Sequence, residues 1–170
     1  MHELSKVLGI PYASFHRTIQ RMKDLLMIEK VGKARVVHLN LKSHTVKAHL
    51  IIASEEEKKG FLEQQPTIKK IANELDTKNT VVLFGSYAKR KETERSDIDL
   101  LIMSKDGKKD ISFSKYELLF KKKINPLFIT KNEFKKMLKE KEENVGKQAL
   151  KNNIILNNPE EFWGCVLDAV

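Results

Sequence analysis

Apolar residues recur along this chain with two periods. Leu4, Val7 and Leu8 fall at helical spacing, Gly9 to Pro11 interrupt them, and Phe15, Ile19, Met22 and Leu26 resume the same period. Two short helices joined by a tight turn are predicted. Ile28 to Lys30, a turn at Gly32 and Lys33, and the partial alternation from Arg35 to Leu41 then predict a β-hairpin. Residues 44–65 read as a connecting helix that stops at Gln65 and Pro66, and Ile68, Ile71, Ala72 and Leu75 share one face of the next helix. No Ser/Gly-rich linker separates these parts, so a rigid connection is expected.

The period then changes. Thr80 to Phe84 form a short β-branched apolar run that ends in Gly85 and Ser86, as a buried strand would. After a polar loop, Ile98, Leu100 and Ile102 alternate with Asp97, Asp99 and Leu101, and Ile124 to Thr130 predict a further strand. The Lys- and Glu-rich stretch 131–151 suits a solvated helix, started by a capping box at Thr130 and Glu133. Asn158 and Pro159 mark the start of a last helix, whose Phe162, Trp163, Val166 and Leu167 read as core or dimer contact rather than a base-stacking platform. Strands and helices interleave throughout, which places the chain in the α/β (α+β) class.

Composition narrows the function classes. A 170-residue chain with 41% hydrophobic content can build one ordinary domain or two small ones. No apolar run nears the roughly 18 residues of a membrane span, no secretory pattern opens the chain, and a lone Cys165 fits a reducing compartment, so we expect a cytoplasmic protein without a membrane partner. The net charge of +9 is uneven: residues 1–54 hold nine Lys and Arg against three acids, whereas the other residues hold 23 against 20. A polyanionic partner is therefore expected at the N-terminal part. All five histidines lie in residues 1–49, but His44 and His49 are five apart, about 140° around a helix, with no Cys or acid cluster at ligand spacing.

The aspartates carry the chemistry. Residues i and i+2 of a strand share a face, so Asp97 and Asp99 project together while Ile98 and Leu100 enter the core. Carboxylates about 5 Å apart repel by about 3 kcal/mol at an effective dielectric of about 20. A divalent cation offsets that repulsion, and Mg²⁺ commonly shares carboxylate ligands with nucleotide phosphates. Gly85 and Ser86, at the end of the preceding strand, can bring backbone N–H groups and a hydroxyl to those phosphates. The spacing G-S-x10-D-x-D, with its flanking apolar runs, closely resembles the nucleotidyltransferase superfamily of DNA polymerase beta, and in particular its minimal nucleotidyltransferase branch.

The resemblance implies transfer of a nucleoside monophosphate from ATP or another nucleoside triphosphate to an acceptor, with Mg²⁺ or Mn²⁺ as cofactor. It assigns catalysis and metal binding to Asp97 and Asp99, and nucleotide binding to Gly85 and Ser86. Lys89 and Arg90 in the intervening loop either neutralise the polyphosphate or belong to a solvated loop; Arg90 stands where the family commonly has Gly. The family usually adds a third carboxylate on a later strand. Here Ile124 to Thr130 contain no acid: Asn125 is uncharged, Leu127 is apolar, and Glu117 or Asp110 would have to reach in from a helix-like segment.

The helix, turn, helix and hairpin of the first 43 residues resemble a winged helix-turn-helix. Its second helix would enter the major groove of duplex DNA with Tyr12, Ser14, His16, Arg17, Gln20 and Arg21, and the wing would add Lys33 and Arg35. The other reading of this basic face is a protein-interaction module. Such modules usually carry a further helix first, so the helix after the wing is expected to complete the core, also across a homodimer, or the module is degenerate. The expected organisation is a winged helix-turn-helix over 1–43, a connecting helix over 44–65, and a nucleotidyltransferase-like domain over 66–170 with a mixed sheet flanked by helices. Three functions fit: a nucleotidyltransferase acting on a protein, RNA or small-molecule acceptor, a DNA-binding regulator with a degenerate nucleotidyltransferase domain, and an antitoxin-like partner of a helical toxin.

Overall fold

The computed structural model describes residues 1–41 and 43–169; Lys42, counted in the basic excess, Val170 and the His44 side chain lie outside the described residues. The chain divides into two compact units, Met1–His49 and Leu50–Val170. In the first, α1 (His2–Val7) and α2 (Tyr12–Arg21) are followed by an antiparallel hairpin of β1 (Leu26–Val31) and β2 (Ala34–Leu39). Gly9 takes φ 64° where the chain turns between the helices, and Gly32 takes φ 60° at the first of two hairpin loop positions, where such turns favour glycine. Phe15 and Ile19, one helical turn apart on α2, are buried as their spacing predicts.

Helix α3 (His44–Gln64) runs through the division between the units and stops where expected, and Pro66 occupies the first turn of α4 (Pro66–Asn73), where a missing N–H costs no intrahelical bond. Then come β3 (Thr80–Phe84), the single-turn α5 (Gly85–Ala88), β4 (Ile98–Met103), α6 (Ser114–Phe120), β5 (Ile124–Ile129), α7 (Lys131–Lys139), α8 (Val145–Lys151), β6 (Ile154–Asn157) and α9 (Pro159–Ala169). The sheet has the order β5-β4-β3-β6 and is mixed: β4 and β5 run parallel, and β3 is antiparallel to both its neighbours.

Alternation along the strands divides the core between two faces. Val81, Leu83, Ile98, Leu100 and Ile102 pack with Phe61 of α3, Ile68 and Ile71 of α4, and Tyr116 of α6. Val82, Leu101, Met103 and Ile155 pack on the other face with Phe134 of α7, Ala149 of α8, and Phe162, Cys165 and Val166 of α9. Phe162 lies 5.4 Å from the Phe134 ring, and the Trp163 indole donates to Ser54 Oγ at 2.8 Å, so this aromatic pair belongs to the packing. Burial pushes the Cys165 thiol up, as suits a structural cysteine. Lys70 and Lys115 beside Glu74 hold its carboxyl down to about 2, so this surface link between α4 and α6 weakens only as pH falls from the ordinary carboxylate range toward that value. Among the described residues, no helix is long and apolar enough to cross a membrane.

The structure differs from the sequence reading in several places. α2 ends at Arg21, so Met22 caps it and Leu26, expected on that helix, begins β1. The stretch 131–151 forms two helices rather than one: Glu140 leaves α7 with extended dihedrals, and Asn144 caps α8 by accepting from Lys147 N at 3.0 Å while donating to Met137 O at 2.8 Å. Gly146 permits the close approach of the two helices, since a Cβ there would lie 2.8 Å from Met137 Cβ. Strand β6, absent from the sequence reading, adds to the sheet beside β3; its Ile154, Ile155 and Leu156 are all buried, so no alternation marked it.

Capping at Thr130 appears as predicted, with the side chains of Thr130 and Glu133 each bonded to the other's backbone N–H. The packing of the α9 layer gives the first prediction. Phe162→Ala should destabilise the second unit by about 3 to 5 kcal/mol, measured by urea unfolding, because the ring is fully enclosed.

Candidate functional site

Parallel pairing of β4 with β5 sets the geometry of the site. The register matches Ile98 with Ile124 and Asp99 with Asn125, while Asp99 also lies opposite Phe84, the last residue of β3. Three strand ends thus converge on the two aspartates. Asp97 stands just before β4 and Asp99 one residue inside it, so both project on the side away from Ile98 and Leu100, which are fully buried.

The convergence is tight. Gly85 takes φ 72°, and a Cβ built there would fall 2.3 Å from Asp99 Oδ2. Only a residue without a side chain lets the turn after β3 lie against the carboxylate. On the opposite side, the Asn125 amide donates to Asp97 Oδ2 at 3.1 Å and to Asp99 Oδ1 at 3.3 Å. The Lys123 ammonium stands 3.9 Å from Asp97 Oδ2, an exposed ion pair across the ends of β4 and β5. Sequence reasoning missed Lys123. Its position two residues before Asn125, on the same face, is the signal that would have found it.

Other predicted nucleotide ligands are spread about this core. Ser86 sits in the first turn of α5, beside Gly85, and its carbonyl accepts from Lys91 N at 3.0 Å. Lys89 is exposed at the end of α5 and, after Lys151 and Lys147, contributes to holding the Glu143 carboxyl below its usual range. Arg90 is turned toward α3: it donates to Gln64 Oε1 at 2.9 Å, and its guanidinium lies 5.8 Å from the Phe61 ring centroid. Its φ of 54° explains why glycine suits this position.

The acids considered for the third carboxylate have other partners. Glu117 Oε1 accepts from Ile124 N at 2.9 Å and holds the start of β5. Asp110 accepts from Asn79, which precedes β3 at the end of the sheet away from Gly85. Leu127 pairs with Leu101 and packs against the core, leaving Asn125 as the β5 residue in contact with the aspartates. Among the described residues, no group of three or more His, Cys, Asp or Glu side chains is placed to hold a metal. Asp97 and Asp99 supply hard-oxygen donors, while Asn125 faces them through its amide nitrogen and Gly85 lies against Asp99.

In the first unit, Ser14, Arg17, Thr18 and Arg21 line one shallow hollow of about 220 Å³ on α2. His16 contacts the Tyr12 ring and lies 3.4 Å from Arg35 of β2. Gln20, one turn after His16, continues that edge of the helix. Lys33 and Arg35 line a separate cavity of about 650 Å³ with His2 and Tyr12. The predicted DNA contacts therefore form two neighbouring groups rather than one row.

The family model described as Polymerase beta, Nucleotidyltransferase matches residues 66–161, more than half of the chain. The match includes Gly85, Ser86, Asp97, Asp99 and Asn125, and leaves the first unit outside. No curated protein and no solved structure matches the chain.

The Gly85 contact generates the second prediction. Gly85→Ala should cost about 2 kcal/mol through the positive φ alone, with a further loss from the displaced carboxylate. The same change in an Asp99→Ala background should cost less, and a double-mutant cycle by urea unfolding measures the difference.

Proposed function

Since the chain belongs to the polymerase beta-type nucleotidyltransferase family, we propose that Gly85, Ser86, Asp97 and Asp99 bind a nucleoside triphosphate with Mg²⁺ or Mn²⁺, and that nucleoside monophosphate transfer to an acceptor is slow. The observation that carries this reading is the approach of the Gly85 turn to Asp99 beside Asp97. Asp97 and Asp99 hold the cation, the Gly85 and Ser86 turn supports the polyphosphate through backbone N–H groups and the Ser86 hydroxyl, and Lys89 adds charge from the rim. Bound Mg²⁺ neutralises polyphosphate charge and polarises the reacting phosphoryl group. Asn125 offers the acceptor hydroxyl no carboxylate to take its proton, which is why transfer is slow.

A second role is favoured by the exposed basic face of α2. We assign it to duplex DNA binding by a winged-helix module over residues 1–43, with Arg17, Arg21, Ser14, His16 and Gln20 on the recognition helix and Lys33 and Arg35 on the wing. The protein would then be a regulator whose nucleotidyltransferase domain senses nucleotide. An antitoxin-like pairing with a helical toxin, or association as a homodimer, is compatible with the same architecture, and a cytoplasmic location suits each role.

Two measurements test these assignments. Calorimetry should find nucleoside triphosphate binding that requires Mg²⁺ and weakens roughly tenfold or more in Asp97→Asn with Asp99→Asn; equal binding with and without Mg²⁺ in the wild type would remove the reading. For DNA, Arg17→Ala with Arg21→Ala should weaken duplex binding and lower the slope of log K against log salt by roughly 2. Absent or salt-insensitive binding favours a protein partner.

A further inference from the structure

The structure assigns Asn125 a role beyond that of a missing acid: it limits this site to a single divalent cation, serving as a hydrogen-bond donor to the aspartates when the cation is away. The inference rests on the nucleotide-binding reading above. One amide nitrogen carries two protons and no charge, and here it lies 3.1 Å from Asp97 Oδ2 and 3.3 Å from Asp99 Oδ1. It spans the pair and offsets part of their repulsion without adding charge of its own. The β4–β5 register fixes that position, since Asn125 is the direct neighbour of Asp99.

A cation shared by both carboxylates needs oxygen donors, so the amide nitrogen has to give way. Rotation of the Asn125 side chain presents its carbonyl oxygen in place of the nitrogen, or else moves the amide aside. A second cation has no such accommodation. It would need a further anionic ligand, and among the described residues no third His, Cys, Asp or Glu joins the pair. Lys123, 3.9 Å from Asp97 Oδ2, adds positive charge on the same side and opposes a second cation there.

The test counts cations. Mn²⁺ bound per chain is measured by loss of the free-ion electron paramagnetic resonance signal at saturating α,β-methylene-ATP, corrected for the nucleotide alone. One Mn²⁺ is expected for the wild type and for Asn125→Ala, and two for Asn125→Asp. Two in the wild type, or one in a folded Asn125→Asp, overturns the inference while leaving nucleotide binding intact. No protein-dependent Mn²⁺ in any of them overturns the nucleotide reading itself. Should Asn125→Asp fail to fold by thermal melting, the side-chain amide resonances of Asn125 in the wild type supply the answer, identified by their absence from the Asn125→Ala spectrum. They should shift when Mg²⁺ and the analogue are added together; unchanged resonances overturn the inference.

Discussion

Mutual repulsion between Asp97 and Asp99 is the constraint around which the second unit is arranged. Two carboxylates at the start of a strand that is otherwise fully buried need neighbours that either carry opposite charge, donate hydrogen bonds or stay out of the way. Lys123 does the first, Asn125 the second and Gly85 the third. These residues come from two segments, the turn after β3 and the start of β5, so the pair is accommodated only when both flank β4 in register. The local cost of the pair is thereby tied to the topology of the whole sheet.

That topology explains why the site lies where it does. β4 and β5 are parallel and β3 opposes them, so the end of β3 meets the beginnings of the other two. The apolar residues that follow the aspartates then run between two helical layers, with Ile98, Leu100 and Ile102 toward one and Leu101 and Met103 toward the other. Packing and chemistry share a strand but occupy different parts of it. Substitutions in the core and substitutions at the mouth are accordingly separable by measurement.

Much of this was legible in the chain because the signals are local. A short β-branched apolar run located β3, alternation located β4, and the segment Ile124 to Thr130 located β5; the interval between Ser86 and Asp97 identified the paired acids, and Thr130 with Glu133 marked a helix start that the structure reproduces to the hydrogen bond. What the sequence left open depends on contacts distant along the chain. Whether Asn125 or Leu127 faces the aspartates is a matter of strand register; Arg90 turning to Gln64 and Phe61 depends on where α3 ends; and β6, although at the edge of the sheet, is buried at Ile154, Ile155 and Leu156 alike and so shows no period. The break between α7 and α8 was marked only by Asn144 and Gly146, two residues whose meaning emerges once Met137 is seen beside them.

Asn125 is followed by Pro126, on a strand at the edge of the sheet where a residue without an N–H is tolerated. The pairing matters for the chemical durability of the amide. Asparagine converts to aspartate on ageing chiefly when the next backbone nitrogen attacks the side-chain carbonyl, closing a succinimide that water then opens. Proline has no N–H to lose in that closure. Spontaneous deamidation at position 125 is therefore suppressed by its own neighbour, and old molecules keep the same amide beside the aspartates as newly made ones.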